Sequence, residues 1–183
     1  NSNFYYILSE KSKLYKEEDN RLIVEYLSKA IELDSLNPKY YYNRGYYFSL
    51  LGNINKSIID YKKANELDPF EPMYNYGLAN IYFEKEYPVD SFIGEIDKSI
   101  ALDSNLPMYR LQKSYFLNQV GYYDESLRNL SNQNKDEMDD FDMEVYNGLM
   151  EEIQLYKGFD KNIGLKKQFN RSGKYYPNVF LFP

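Results

Sequence analysis

Side chains able to move a proton near neutral pH are scarce in this chain of 183 residues, because histidine and cysteine are both absent. Their absence removes the usual acid/base group, the commonest metal ligand, thiolate nucleophiles and disulfides. Carboxylates remain, densest at Asp136, Glu137, Asp139, Asp140, Asp142 and Glu144. That run superficially looks like a calcium loop, yet it lacks the glycine that turns such a loop and has no properly spaced closing glutamate. Acidic residues at a helix start complement the helix dipole, and the run is assigned to that role. No glycine-rich phosphate loop and no serine nucleophile motif is present. Three Asn-x-Ser triplets, at Asn55, Asn129 and Asn170, match a glycosylation acceptor but are attributed to chance in an asparagine-rich chain. The expectation is therefore no catalytic residue, no metal and no cofactor. Glu84 is the carboxylate that a competing general acid/base reading would use.

The chemistry the sequence does offer is recognition. It holds 22 tyrosines and 11 phenylalanines without tryptophan, and tyrosine joins an apolar ring to a polar tip that suits both packing and wet binding surfaces. A net charge of −6 argues against nucleic acid, which requires a basic stripe. A basic or polar partner fits this balance better than an anionic one. No run approaches the roughly 18 apolar residues of a membrane span, so no direct membrane insertion is expected. Asn1 rather than methionine opens the sequence, as expected of a processed or truncated start, and the compartment stays open.

The elements that position these aromatics repeat. Pro38, Pro72 and Pro107 lie 34 and 35 residues apart, and the same spacings relate Tyr40, Tyr74 and Tyr109, Leu33, Leu67 and Leu102, and Asp34, Asp68 and Asp103. A period near 34 signals a helix–turn–helix solenoid. Each proline opens a helix, since its missing N–H needs no partner there. The spacing predicts helices over 4–16, 21–33, 38–51, 54–67, 72–85, 90–102, 107–120 and 123–133. A longer helix is expected over 136–157 and a closing one over 160–170. Gly52 and Gly121 occupy equivalent turns, and the third turn carries the extra residue of the 35-residue unit.

The middle unit resembles the tetratricopeptide repeat (TPR), a pattern W-x2-L-G-x2-Y, A-x3-F, P. It stands here as Tyr41-x2-Arg44-Gly45-x2-Phe48, Ser57-x3-Tyr61 and Pro69, with Ala64 before Asn65-Glu66-Leu67-Asp68-Pro69. The third unit gives Leu78-Ala79-x2-Tyr82 and Phe92-x3-Ile96, and the fourth Ser114-x2-Leu117 and Ser126-x3-Leu130. The first keeps Ala30-Ile31-Glu32-Leu33-Asp34 but has Lys11 at the small-residue position. The resemblance covers 20–133 well and the flanks loosely.

This resemblance implies an all-α fold, a right-handed superhelix of tandem antiparallel helix pairs. One domain is expected over 1–174, in units of about 4–37, 38–71, 72–106 and 107–135 with an irregular capping unit 136–174. An apolar tail follows at 175–183. It also implies a concave groove lined by the first helices, receiving a protein or peptide. The free stripe of those helices predicts partner contacts at Lys39, Tyr42, Tyr46, Met73, Tyr76, Asn80, Phe83, Leu111, Tyr115 and Asn118, extended by Tyr5, Leu8, Ser12 and Tyr15. The competing reading of any one aromatic is packing between units. A non-enzymatic interaction scaffold is the expected function, against a structural segment of a larger repeat protein or a small-molecule binder. The tail is expected to cap the last helices; insertion into the groove of another copy, anchored by Phe180 and Phe182, is the sharper alternative.

Overall fold

The computed structural model describes residues 1–14 and 20–160. Within them the chain forms nine α-helices and no strand. They are α1 (Ser2–Leu14), α2 (Asn20–Leu33), α3 (Pro38–Leu50), α4 (Ile54–Leu67), α5 (Pro72–Glu84), α6 (Val89–Leu102), α7 (Pro107–Gln119), α8 (Tyr123–Ser131) and α9 (Asp140–Asp160). The expected closing helix at 160–170 and the segment 175–183 lie outside the described residues.

Each repeat is punctuated by the same local bonds. The Asp34, Asp68 and Asp103 N–H groups donate to the carbonyls of Ala30, Ala64 and Ser99, ending α2, α4 and α6. Proline then sits in the first turn of α3, α5 and α7, and the side chains of Asn37 and Glu71 accept from the Lys39 and Met73 N–H groups. The helix–helix turns need a left-handed residue. Gly52 and Gly121 supply it at φ 73° and 84°, and Glu86 adopts it at φ 54° in the third unit. There the turn closes with Tyr87 N–H donating to Tyr82 O, as Asn53 N–H donates to Phe48 O in the second. An L side chain in this region costs roughly 1–2 kcal/mol, so Glu86 is a strained stand-in for glycine.

The helix expected over 136–157 is two elements. A 3-10 turn, Lys135–Glu137, precedes α9, and Asp139 interrupts them because its carboxylate accepts from the Asp142 N–H at 2.8 Å. Such capping satisfies an orphan donor of the first turn. The acidic run is thus a turn, a cap and a helix start.

The chain divides into two compact units, Asn1–Ser104 and a second beginning at Asn105. In the first, α1 packs on α2, α3 on α4 and α5 on α6; α2 with α3 and α4 with α5 join successive pairs. Small residues at the crossings are fully buried: Ala30, Ser57, Ala64 and Ser99. The Ser99 hydroxyl donates across its pair to Pro72 O at 2.9 Å. Arg44 ties three helices, donating from Nε and Nη2 to both carboxylate oxygens of Asp60 (2.7 and 2.9 Å) and from Nη1 to Ser28 Oγ (3.2 Å). Tyr41 and Phe48 rings flank its guanidinium. In the second unit α7 packs on α8, and α9 lies against α7 and, to a lesser extent, α8. Leu111, Leu130, Tyr146, Leu149 and Ile153 form its core.

Candidate peptide-binding surface

The aromatic groups of the first unit are organised by Tyr61. Its side chain, 4% exposed, projects from α4 between two glycines. A Cβ built on Gly45 of α3 would lie 3.0 Å from Tyr61 Cδ1, and one on Gly77 of α5 would lie 3.0 Å from Cε1. The two missing side chains let the ring fit between successive first helices. Tyr42 packs on it, ring centroids 5.5 Å apart, and on Tyr74 at 5.3 Å. Each such pair contributes about 0.5–1.5 kcal/mol beyond its buried area. The result is a ladder Tyr61–Tyr42–Tyr74 joining α3, α4 and α5.

Around this ladder the candidate residues fall into place unequally. Tyr46 is half-buried, edge-on to Tyr47 at 5.1 Å and packed beside Ile23 and Leu27. Asn80, also half-buried, donates from Nδ2 to Tyr76 O at 3.0 Å, as Asn43 does to Lys39 O at 2.8 Å. Phe83 stands edge-on to Phe92 of α6 at 5.4 Å. Met73 is half-buried at the start of α5, and Lys39 is exposed at the start of α3. Tyr76 is buried at 1% exposure, so its ring belongs to the core. Tyr5, expected to extend the surface, instead packs against the cluster of Ala30, Ile31 and Tyr40, with Lys29 over its ring. Its position puts it on the face of α1 that docks on α2. Leu8 is half-buried, whereas the side chains of Ser12 and Tyr15 lie outside the described residues.

In the second unit the corresponding stripe is covered. Leu111 is fully buried, Tyr115 packs against the same core, and Asn118 is 1% exposed. The Asn118 amide donates to Leu149 O (3.3 Å) and Glu152 Oε2 (3.1 Å) of α9. Periodicity marks these residues as one stripe of α7 but does not show that α9 will lie on it.

Electrostatics keep the phenols neutral. Burial pushes the Tyr46, Tyr47 and Tyr61 hydroxyls up, with Tyr46 and Glu84 adding to the effect at Tyr61 and Tyr46 and Glu10 at Tyr47. Tyr74 is pushed up to about 12, by burial first and then by Glu71 and Asp68. These groups therefore act as hydrogen-bond donors or acceptors, not charges, at any physiological pH. Sequence reasoning placed Tyr61 and Tyr74 in the repeat register but not as the buried support beneath Tyr42. The available signal was the pair Gly45 and Gly77, two side chains missing opposite one ring.

Among the described residues no three carboxylates are grouped so as to hold a metal ion, and no helix is long and apolar enough to cross a membrane. Leu36 and Phe70, one repeat apart in the inter-pair loops, are each highly exposed.

No family model matches the sequence, and no curated protein matches it. Solved structures do match in fold. The chain is similar to the MamA protein at TM-score 0.68 and 17% identity, covering 87% of this chain and 82% of that one. A thermophilic TPR protein of Thermus thermophilus matches at TM-score 0.65 and 14% identity, covering 88% and 92%. YrrB, described as a TPR protein with an unusual peptide-binding site, matches at 0.61 and 17%, covering 87% and 76%. The chain therefore has the TPR-type, all-helical repeat fold.

Proposed function

We propose that this chain is a non-enzymatic interaction scaffold whose α3–α5 face holds an extended peptide or partner segment. The observation that carries the proposal is the half-buried set Tyr42, Tyr46, Met73, Asn80 and Phe83 on α3 and α5, with Tyr42 fixed from below by the buried rings of Tyr61 and Tyr74. Rings fixed by packing offer area at little entropic cost, and amides beside them supply direction; aromatic anchors of this kind dominate binding energies. The TPR-type fold supports the assignment, as does the peptide-binding site named for YrrB. Lys39 adds polar specificity at one end.

Selection of peptides from a random display library on the intact chain tests this directly. Selected peptides should bind in the micromolar range or tighter, and Phe83→Ala or Asn80→Ala should weaken them roughly tenfold or more, as expected for central contacts. Equal affinity for the variants, with their folding verified by circular dichroism, would remove the binding site from this face.

A further inference from the structure

Leu36 and Phe70 are the two most exposed large apolar side chains among the described residues, at 76% and 79%. Single exposed apolar residues are ordinary on a protein surface. These two, however, recur one repeat apart in loops built the same way. Asp34 and Asp68 end α2 and α4 through their N–H groups and then turn the chain, each Oδ1 accepting from the Leu36 or Phe70 N–H at 3.2 Å. One residue further on, Asn37 and Glu71 share φ −87° and ψ 109° and cap α3 and α5 with side-chain oxygens. Tyr41 Oη braces the first loop by donating to Ser35 O at 3.2 Å. In the second loop Pro69 restricts the backbone ahead of Phe70.

Both loops lie at one end of their helix pairs. The chain leaves the first loop along α3, and α4, packed on α3 after a short turn, brings it back to the second. Stacking of repeats sets equivalent loops side by side on one edge. Leu33, also exposed in the last turn of α2, belongs to the same end. This edge lies wholly within the unit Asn1–Ser104. The following loop has Asn105 at the equivalent position, so the apolar recurrence stops there.

The edge is also acidic. Residues 32–39 and 66–73 hold Glu32, Asp34, Glu66, Asp68 and Glu71 against a single base, Lys39. Asp34, Asp68 and Glu71 are fixed in place by the backbone N–H groups of Leu36, Phe70 and Met73. Lys63 offsets Glu66 through an exposed pair at 3.2 Å, a contact worth little in water. We propose that this edge is a second interaction surface, separate from the α3–α5 face, for a cationic segment of a partner protein. Apolar side chains of that segment pack on Leu36 and Phe70, and its lysines or arginines meet the carboxylates. Loops already held in shape cost little to order on binding, and opposite charges select the partner. The same carboxylates disfavour an anionic lipid surface and a second copy of this chain, whose net charge is −6.

The test is selection of peptides from a random display library on the intact chain, with counter-selection against the Leu36→Ser, Phe70→Ser double variant. Both positions are exposed, so the variant should keep its denaturation midpoint. Surviving peptides should be rich in lysine or arginine and should shift the amides of Leu36 and Phe70. They should bind the double variant roughly tenfold or more weakly, as expected for central contacts. Asp34→Asn with Asp68→Asn keeps an oxygen for each turn and removes the charge; it should weaken binding several-fold and flatten its salt dependence. Phe83→Ala should leave these peptides bound, and their loss there would overturn the separation from the α3–α5 face. No surviving peptide, or survivors that are neutral or acidic, would overturn the proposal. Sedimentation velocity showing self-association that the double serine variant abolishes would overturn it in favour of a second copy. Co-sedimentation with phosphatidylserine–phosphatidylcholine vesicles, abolished in the same variant, would overturn it in favour of a membrane surface.

Discussion

The same stripe of a first helix has two different fates in the two units. In α3 and α5 it carries half-buried rings and amides, Tyr42 and Tyr46, then Asn80 and Phe83, with Tyr76 alone buried among them. In α7 the residues of the same register, Leu111, Tyr115 and Asn118, are packed under α9. Position in a repeat therefore does not decide whether a side chain is contact or core. What decides is whether the next helix lies over it, and α9 does so by inserting Tyr146, Leu149 and Ile153 beside Leu111.

The largest expected effect lies in the covered stripe. Ile153→Ala should cost about 2–5 kcal/mol, the usual range for truncating a buried aliphatic side chain, read as a lower denaturation midpoint. Phe83→Ala, at a half-buried site, should cost much less stability while weakening peptide binding. Similar stability losses for both would erase the distinction between the two stripes.

A sharper contrast lies within the first unit. Gly45→Ala places a methyl 3.0 Å from the Tyr61 ring and should destabilise by about 1–3 kcal/mol, as overpacking does. Gly94→Ala meets nothing within 4 Å in α6 and should stabilise by roughly 0.5–1 kcal/mol. Denaturant titration of both variants checks the sign as well as the size.

Alkali should act on the first unit before the second. Tyr47, Tyr61 and Tyr74 have hydroxyls raised by burial above the ordinary value near 10. The unfolded chain releases those protons first, so the stability they confer is complete below pH 10 and falls as the pH rises through their folded values. Amide signals of α3–α5 should then collapse above about pH 10 ahead of those of α7–α9. Simultaneous loss would show that the raised hydroxyls do not set the order. The smallest effect is expected at Glu86, where glycine should gain roughly 1 kcal/mol by relieving the positive φ, seen as a raised melting temperature.

Much of this architecture was legible in the residues. The prolines at 38, 72 and 107 mark helix starts, and Gly52 and Gly121 mark turns, because each solves a backbone problem locally. Local signals failed where tertiary contact decides. The repeat register placed the third turn, but its left-handed residue is a glutamate, which composition does not mark. A single carboxylate, Asp139, divided a stretch that reads as one helix. Arg44, a departure from the leucine of the repeat pattern, is explained by Asp60 sixteen residues away and Ser28 on the preceding pair. The candidate surface was half legible: periodicity marked the stripe, yet Tyr76, Leu111 and Asn118 belong to the interior, and the buried Tyr61 beneath Tyr42 was visible only through the glycines opposite it.

The most direct test of the central claim is amide chemical-shift mapping of the intact chain titrated with a display-selected peptide. The account predicts saturable shifts at Tyr42, Tyr46, Asn80 and Phe83. Shifts confined to Leu36 and Phe70 in the loops, or to α9, would contradict it and place recognition on a different surface.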